Sequence, residues 1–206
     1  MARAQLKSFI PGKIYFQYQS ISAAKKAEAT TEEEKQKAEF DSQCWLLCQC
    51  FEVISENGIR PLGLADIELL RDGFKFNAWV TAVFRQDFNI NFLDKAKSFD
   101  DTEHFEIEDR KLKIKINQIS TEKAIAMQRA GQKDSEGVEL TKWMICECVT
   151  INNKSISEKQ LLEELDFALA ALLSNKMQLV LGKYQAEETL FSLPDILDGV
   201  SEMSTS

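Results

Sequence analysis

Trp45-Leu46-Leu47-Cys48-Gln49-Cys50 recurs, with substitutions, as Trp143-Met144-Ile145-Cys146-Glu147-Cys148. At the same offset Lys13-Ile14-Tyr15-Phe16-Gln17-Tyr18 lies over Lys111-Leu112-Lys113-Ile114-Lys115-Ile116. Ile21-Ser22 then falls on Ile119-Ser120 and Lys25 on Lys123, with no gap between these anchors. After a short deletion, Leu69-Leu70 meets Leu161-Leu162. Such matches in register are hard to obtain by chance, and they read as a tandem duplication of a unit of about 100 residues, the usual size of a domain. The expected division is residues 1–100 and 101–200, followed by a small polar tail, 201–206, expected to be disordered.

Both units read as one series of elements. Leu112, Ile114 and Ile116 alternate with Lys111, Lys113 and Lys115, the period of a strand, and Ile14, Phe16 and Tyr18 keep that phase in the first unit. A polar helix rich in Ala, Glu and Lys follows over residues 23–40 and again over 121–131. The Trp/Cys segment comes next as a helix. Cys44, Leu47, Cys48, Phe51 and Ile54 fall at helical spacing, with Asp41 or Ser42 placed to cap them. Asn57-Gly58 and Asn152-Asn153 end these helices in turns. Ser157 and Gln160 form a capping box ahead of Leu161-Leu162, and residues 74–84 make the closing helix of the first unit. Phe105 and Ile107 alternate with Glu106 and Glu108, so a strand there can pair with residues 111–116 across Asp109-Arg110. The expected fold is α+β and mostly helical. Each unit opens with a short strand or hairpin followed by about three or four helices, and the helices of Trp45 and Trp143 are candidates to pack together.

Composition narrows the function. Acidic side chains outnumber basic ones 33 to 25, for a formal net charge of -8. A surface of that sign repels phosphate backbones, so nucleic acid is not an expected partner. No apolar run approaches the about 20 residues a membrane span needs, and residues 1–10 lack the apolar core of a signal peptide. The five cysteines are an odd number set in apolar segments, which suits reduced, buried thiols in a cytoplasmic protein. His104 is the single histidine, which removes most His-based catalytic and metal sites.

The remaining motifs have plainer roles. Residues two apart on a helix point about 200° away from each other, so Cys48 and Cys50 cannot share an ion, and core packing is the better account. Asp100, Asp101, Glu103, Glu106, Glu108 and Asp109 with His104 lack the order of a calcium loop and read as a solvated connector. Gly58-Ile59-Arg60-Pro61-Leu62-Gly63 has the glycine spacing of a P-loop. Leu64 and Ala65 stand where that motif needs Lys and Ser or Thr, so it is a turn. Lys111, Lys113 and Lys115 read as an exposed strand face or a guarded edge. Phe74, Phe76, Trp79, Val83 and Phe84 form an aromatic stripe whose default role is core. Phe74, Phe76 and Trp79 cannot all share one narrow face, which makes them the candidates for a partner contact. No catalytic, metal or cofactor motif emerges, so no enzyme and no cofactor is expected.

Residues 111–178 resemble the tail assembly chaperones of tailed bacteriophages, and the related baseplate assembly proteins are similar. The resemblance is carried by a short strand, by Thr121 with Ala124, Ala126 and Ala130, by Ile151-Asn152-Asn153-Lys154, and by Ser157 leading through Leu161-Leu162 to Leu165-Asp166. It implies a protein without enzymatic activity, working in the host cytoplasm, that binds a phage tail or baseplate structural protein before assembly. The alternative is a structural adaptor retained in the particle. Homo-oligomerisation stays open.

Overall fold

The computed structural model describes residues 3–68, 73–84, 88–94, 103–117, 126 and 137–190. Apart from residue 126, the expected helix at 121–131 lies outside these, as does the tail at 201–206. The chain opens with β1 (Arg3–Leu6), α1 (Gly12–Glu28) and α2 (Glu32–Cys50), followed by the hairpin β2 (Phe51–Ser55) and β3 (Gly58–Pro61). Then come α3 (Leu64–Glu68), α4 (Gly73–Phe84), β4 (Ile90–Asp94), β5 (Glu103–Ile107), a 3-10 turn at Glu108–Arg110 and β6 (Leu112–Ile116). The last elements are α5 (Val138–Cys148), the hairpin β7 (Val149–Ile151) and β8 (Lys154–Ser155), a π turn at Gln160–Glu164 and α6 (Phe167–Leu190). The α+β, largely helical expectation holds. Among the described residues two antiparallel sheets form, β1-β2-β3 and β4-β5-β6-β7-β8.

Several local expectations are corrected. Residues 13–18 are helix, not strand, and begin α1 directly after Pro11. Ile14, Tyr15 and Phe16 are consecutively buried, because α1 packs on α2, α6 and the π turn together. An element enclosed on several sides loses its one-faced pattern, and an alternation within it carries no strand signal. The first sheet opens instead with β1, where Ala4 and Leu6 pack on the core.

The polar stretch 23–40 is not one helix. It breaks at 29–31, where Thr31 starts α2 through a complete capping box: Glu34 N–H donates to the Thr31 hydroxyl (3.2 Å) and Thr31 N–H to the Glu34 carboxylate (3.0 Å). Ser42 caps nothing. It sits buried inside α2 and its hydroxyl donates back to the Ala38 carbonyl at 2.7 Å, a local bond that leaves the helix intact.

The Trp/Cys helix stops at Cys50, so Phe51 and Ile54 lie in β2, not on the helix. Asn57-Gly58 turns the hairpin rather than closing the helix, with Gly58 at φ 112. In the second hairpin Asn152 (φ 51) and Asn153 (φ 63) occupy a two-residue loop. Positive φ at both positions is the twist-matched geometry that asparagine tolerates. The β5–β6 pairing across Asp109-Arg110 is as expected, with Phe105 opposite Ile114 and Ile107 opposite Leu112. β4 precedes residue 100 in sequence and yet is the edge strand of the second sheet.

One apolar cluster runs through both halves, from Leu46, Leu47 and Phe51 to Phe105, Ile114, Met144, Phe167 and Leu173. The junction runs through α1 rather than through packing of the Trp45 and Trp143 helices. Gly12 N–H donates to the Leu165 carbonyl (2.8 Å) and Phe167 N–H to the Ile10 carbonyl (2.7 Å). Arg110 pairs with Asp166 beside this crossing.

Two carboxylates are held well below the ordinary carboxylate range. Glu34 is held at about 2, first by the Thr30 hydroxyl and then by the Thr30 and Thr31 amides. Asp66 is also held at about 2, first by the Arg60 guanidinium fork (2.6 Å to each oxygen) and then by Gly63 N–H. A depressed folded pKa stabilises above the ordinary carboxylate range and ceases to do so as pH falls through the folded value. Thermal denaturation followed from pH 6 to pH 2 should therefore show Tm falling most between about 4.5 and 2. Glu34→Gln with Asp66→Asn should flatten that slope; an unchanged slope would show that neither group is linked to folding.

Candidate functional site

The candidate partner residues lie on α4, whose sequence Gly-Phe-Lys-Phe-Asn-Ala-Trp-Val-Thr-Ala-Val-Phe is apolar on more than one side. Phe76 is buried and stacks on Phe40 of α2, ring centroids 4.9 Å apart. Trp79 is half-buried and stacks on Phe51 of β2 at 5.0 Å. Val83 is buried, and Phe84 meets Tyr18 (5.8 Å) and Phe167 (5.3 Å) edge-on. These side chains share the inward stripe at helical spacing and fasten α4 to α1, α2, β2 and α6.

Phe74 is 89% exposed, on the stripe that also carries exposed Asn77, Ala78 and Thr81. The structure thus separates the three candidates: Phe76 and Trp79 are spent on intramolecular stacking, and Phe74 faces outward. Other large apolar side chains reach solvent at Phe9, Phe40, Ile59 and Leu64. Their signal in sequence is no different from that of core residues, so only burial finds them.

The cysteines behave as packing groups. Cys44 and Cys50 are buried in α2 and Cys48 is half-buried. Burial pushes the Cys50 thiol up to about 12. It also raises Cys44, helped by Asp41, and Cys48, helped by Asp66. Cys146 is raised by burial and by Glu158 and Glu147. A thiol raised this way stays protonated at neutral pH, and the protonated form is neither nucleophile nor metal ligand.

Among the described residues no group of three or more His, Cys, Asp and Glu side chains is placed to hold a metal ion. Asp100 and Asp101 of the acidic stretch lie outside the described residues. The others are spread over β5 and its turn, where Glu106 pairs with Lys113 at 3.2 Å and His104 sits opposite Lys115. The loop that resembles a P-loop in spacing is filled by the Arg60–Asp66 pair, with Asp66 also accepting from Gly63 N–H. An open groove of about 410 Å³ lies between Phe16, Trp45, Val138 and Leu162, with Lys13 and Lys142 at its rim. Lys142 is already engaged by Glu139 (2.6 Å) and Glu158 (3.7 Å).

No family model, curated protein or solved structure matches this chain. Among the described residues no helix is long and apolar enough to cross a membrane.

Proposed function

We propose that this chain is a non-enzymatic assembly chaperone for a phage tail or baseplate, holding a structural tail protein in the host cytoplasm until it is incorporated. The observation that carries the reading is the element order over residues 112–166. Strand β6, apolar helix α5, the Asn152-Asn153 turn and the reciprocal Ser157–Gln160 cap occur in the order of the motifs that carry the resemblance, with Asn152-Asn153 turning a hairpin and Leu161-Leu162 in a π turn. Apart from residue 126, the stretch from Thr121 to Ala130 lies outside the described residues. Phe74, held outward on a helix anchored by three other aromatics, supplies a contact of the kind a client's apolar surface would fit.

Tandem duplication belongs to the same proposal. Its support is that the Trp/Cys helix, a hairpin, a short helical turn and a further helix follow one another in both halves. Cys50 and Cys148, matched by the Trp-x-x-Cys-x-Cys repeat, accept equivalent bonds, from Lys7 N–H (2.9 Å) and Asn117 N–H (2.8 Å). In this correspondence β1 takes the place of β6, and residues 13–18 do not.

Affinity purification from the assembling system, with mass spectrometry of co-purifying proteins and an assay of finished particles, tests the function. A tail or baseplate protein should be recovered, and this chain should be absent from mature particles. A fixed copy number in particles would make it a structural adaptor instead, and recovery of no tail protein would defeat both readings. Phe74→Ser should reduce client recovery while leaving Tm nearly unchanged, since exposed substitutions shift stability by about 0.5 kcal/mol or less. Phe76→Ala should cost about 3 kcal/mol or more, because it empties a buried aromatic site.

A further inference from the structure

Among the described residues the outer edge of β1 is unpaired, and it answers to an edge that is covered in the other half. In the second sheet, Asn152 N–H donates to the Lys113 carbonyl (2.8 Å) and Asn117 N–H to the Cys148 carbonyl. Backbone groups of successive residues in an antiparallel strand point to opposite sides, so Ile114 and Ile116 turn theirs toward β5. In the first sheet, Lys7 N–H bonds Cys50, which directs Gln5 and Arg3 toward β2 and leaves the backbone groups of Ala4 and Leu6 facing away from it. Among the described residues β1 ends its sheet on that side.

Side chains follow the same correspondence. Arg3, Ala4, Gln5 and Leu6 stand where Lys113, Ile114, Lys115 and Ile116 stand in β6: polar outward, apolar toward the core. On β6 the covering strand supplies His104 opposite Lys115, Phe105 opposite Ile114 and Glu106 opposite Lys113. Phe105 is fully buried there, and Glu106 pairs with Lys113 at 3.2 Å. The opposite edge of the first sheet is blunted by Pro61, which has no N–H to offer, on a strand exposed throughout. β1 carries no such guard.

We propose that β1 accepts an extended strand of a partner protein, added antiparallel to its free edge and reading polar, aromatic, acidic opposite Gln5, Ala4 and Arg3. Main-chain bonds to Ala4 and Leu6 supply affinity, and the aromatic and acidic side chains supply register. The inference rests on the correspondence between the halves proposed above and is independent of the phage reading.

The test uses the full chain and an end-blocked synthetic peptide with the sequence of residues 103–109. Amide exchange at Ala4 and Leu6, followed by NMR, should slow about tenfold when free peptide is at about ten times its Kd. N-methylation at the peptide's phenylalanine should abolish the effect. Arg3→Glu should weaken binding, and a peptide with lysine in place of its central glutamate should restore it. Amides of Ala4 and Leu6 already slow in the free chain, protection confined to other residues, or self-association of the chain through Arg3 would each overturn the proposal.

Discussion

Gly12→Ala is expected to destabilise the protein by about 2 to 3 kcal/mol, although alanine is the better helix former by about 1 kcal/mol. A Cβ on Gly12 would lie 2.3 Å from the Leu161 carbonyl oxygen, 3.2 Å from the Ala170 Cβ and 3.3 Å from the Leu165 carbonyl oxygen. Two of these neighbours are backbone and cannot rotate away. The crowding comes from the π turn, in which Leu165 N–H reaches back to the Gln160 carbonyl and the Leu161 carbonyl is left against the start of α1. Relief would require parting Gly12 from Leu165 and Phe167 from Ile10, the bonds that join the halves. Gly73 provides the contrast, since a Cβ there meets nothing within 4 Å. Gly73→Ala should be neutral or slightly stabilising. Urea unfolding of the two variants decides the matter: equal midpoints would mean that the α1–π turn crossing is not close-packed.

Phe167→Ala is expected to cost about 3 to 5 kcal/mol, a large part of the about 5 to 15 kcal/mol that holds a domain together. Phe167 is fully buried at the start of α6. Its ring meets Tyr15 edge-on at 5.4 Å and Phe84 at 5.3 Å. Tyr15 belongs to α1, Phe84 to α4 and Phe167 to the second half, so truncation opens a cavity where three elements converge. Unfolding should remain a single cooperative transition in the unaltered chain because these contacts couple the halves. Separate transitions by near-ultraviolet and far-ultraviolet circular dichroism, or a loss below about 1 kcal/mol in the variant, would show that the halves are stabilised independently.

Legibility in the sequence followed how local the determining physics is. Ser157 and Gln160 found each other across one helical turn. The β5–β6 strand pairing, with its short turn and alternation on both arms, was legible for the same reason. The start of α1 was not, because the alternation of Ile14, Phe16 and Tyr18 mimics a strand when the helix is enclosed by distant segments. Ser42 had the composition of a cap, but Thr31 and Glu34 close the reciprocal box upstream and fix where α2 begins. For the candidate site the stripe on α4 was visible, but its division was not. Phe40 and Phe51, which claim Phe76 and Trp79, are remote in sequence.

The sequence by itself determined the α+β class, the recurring Trp-x-x-Cys-x-Cys helices, the presence of turns at Asn57-Gly58 and Asn152-Asn153 and the capped turn at Ser157, since each depends on contacts within a few residues. Tertiary structure alone decided that β1 and not residues 13–18 opens the first sheet, that Gly12 seats α1 against a π turn, and that Phe74 points outward. These outcomes are set by close packing and strand register between segments far apart in the chain, and neither leaves a mark in local periodicity.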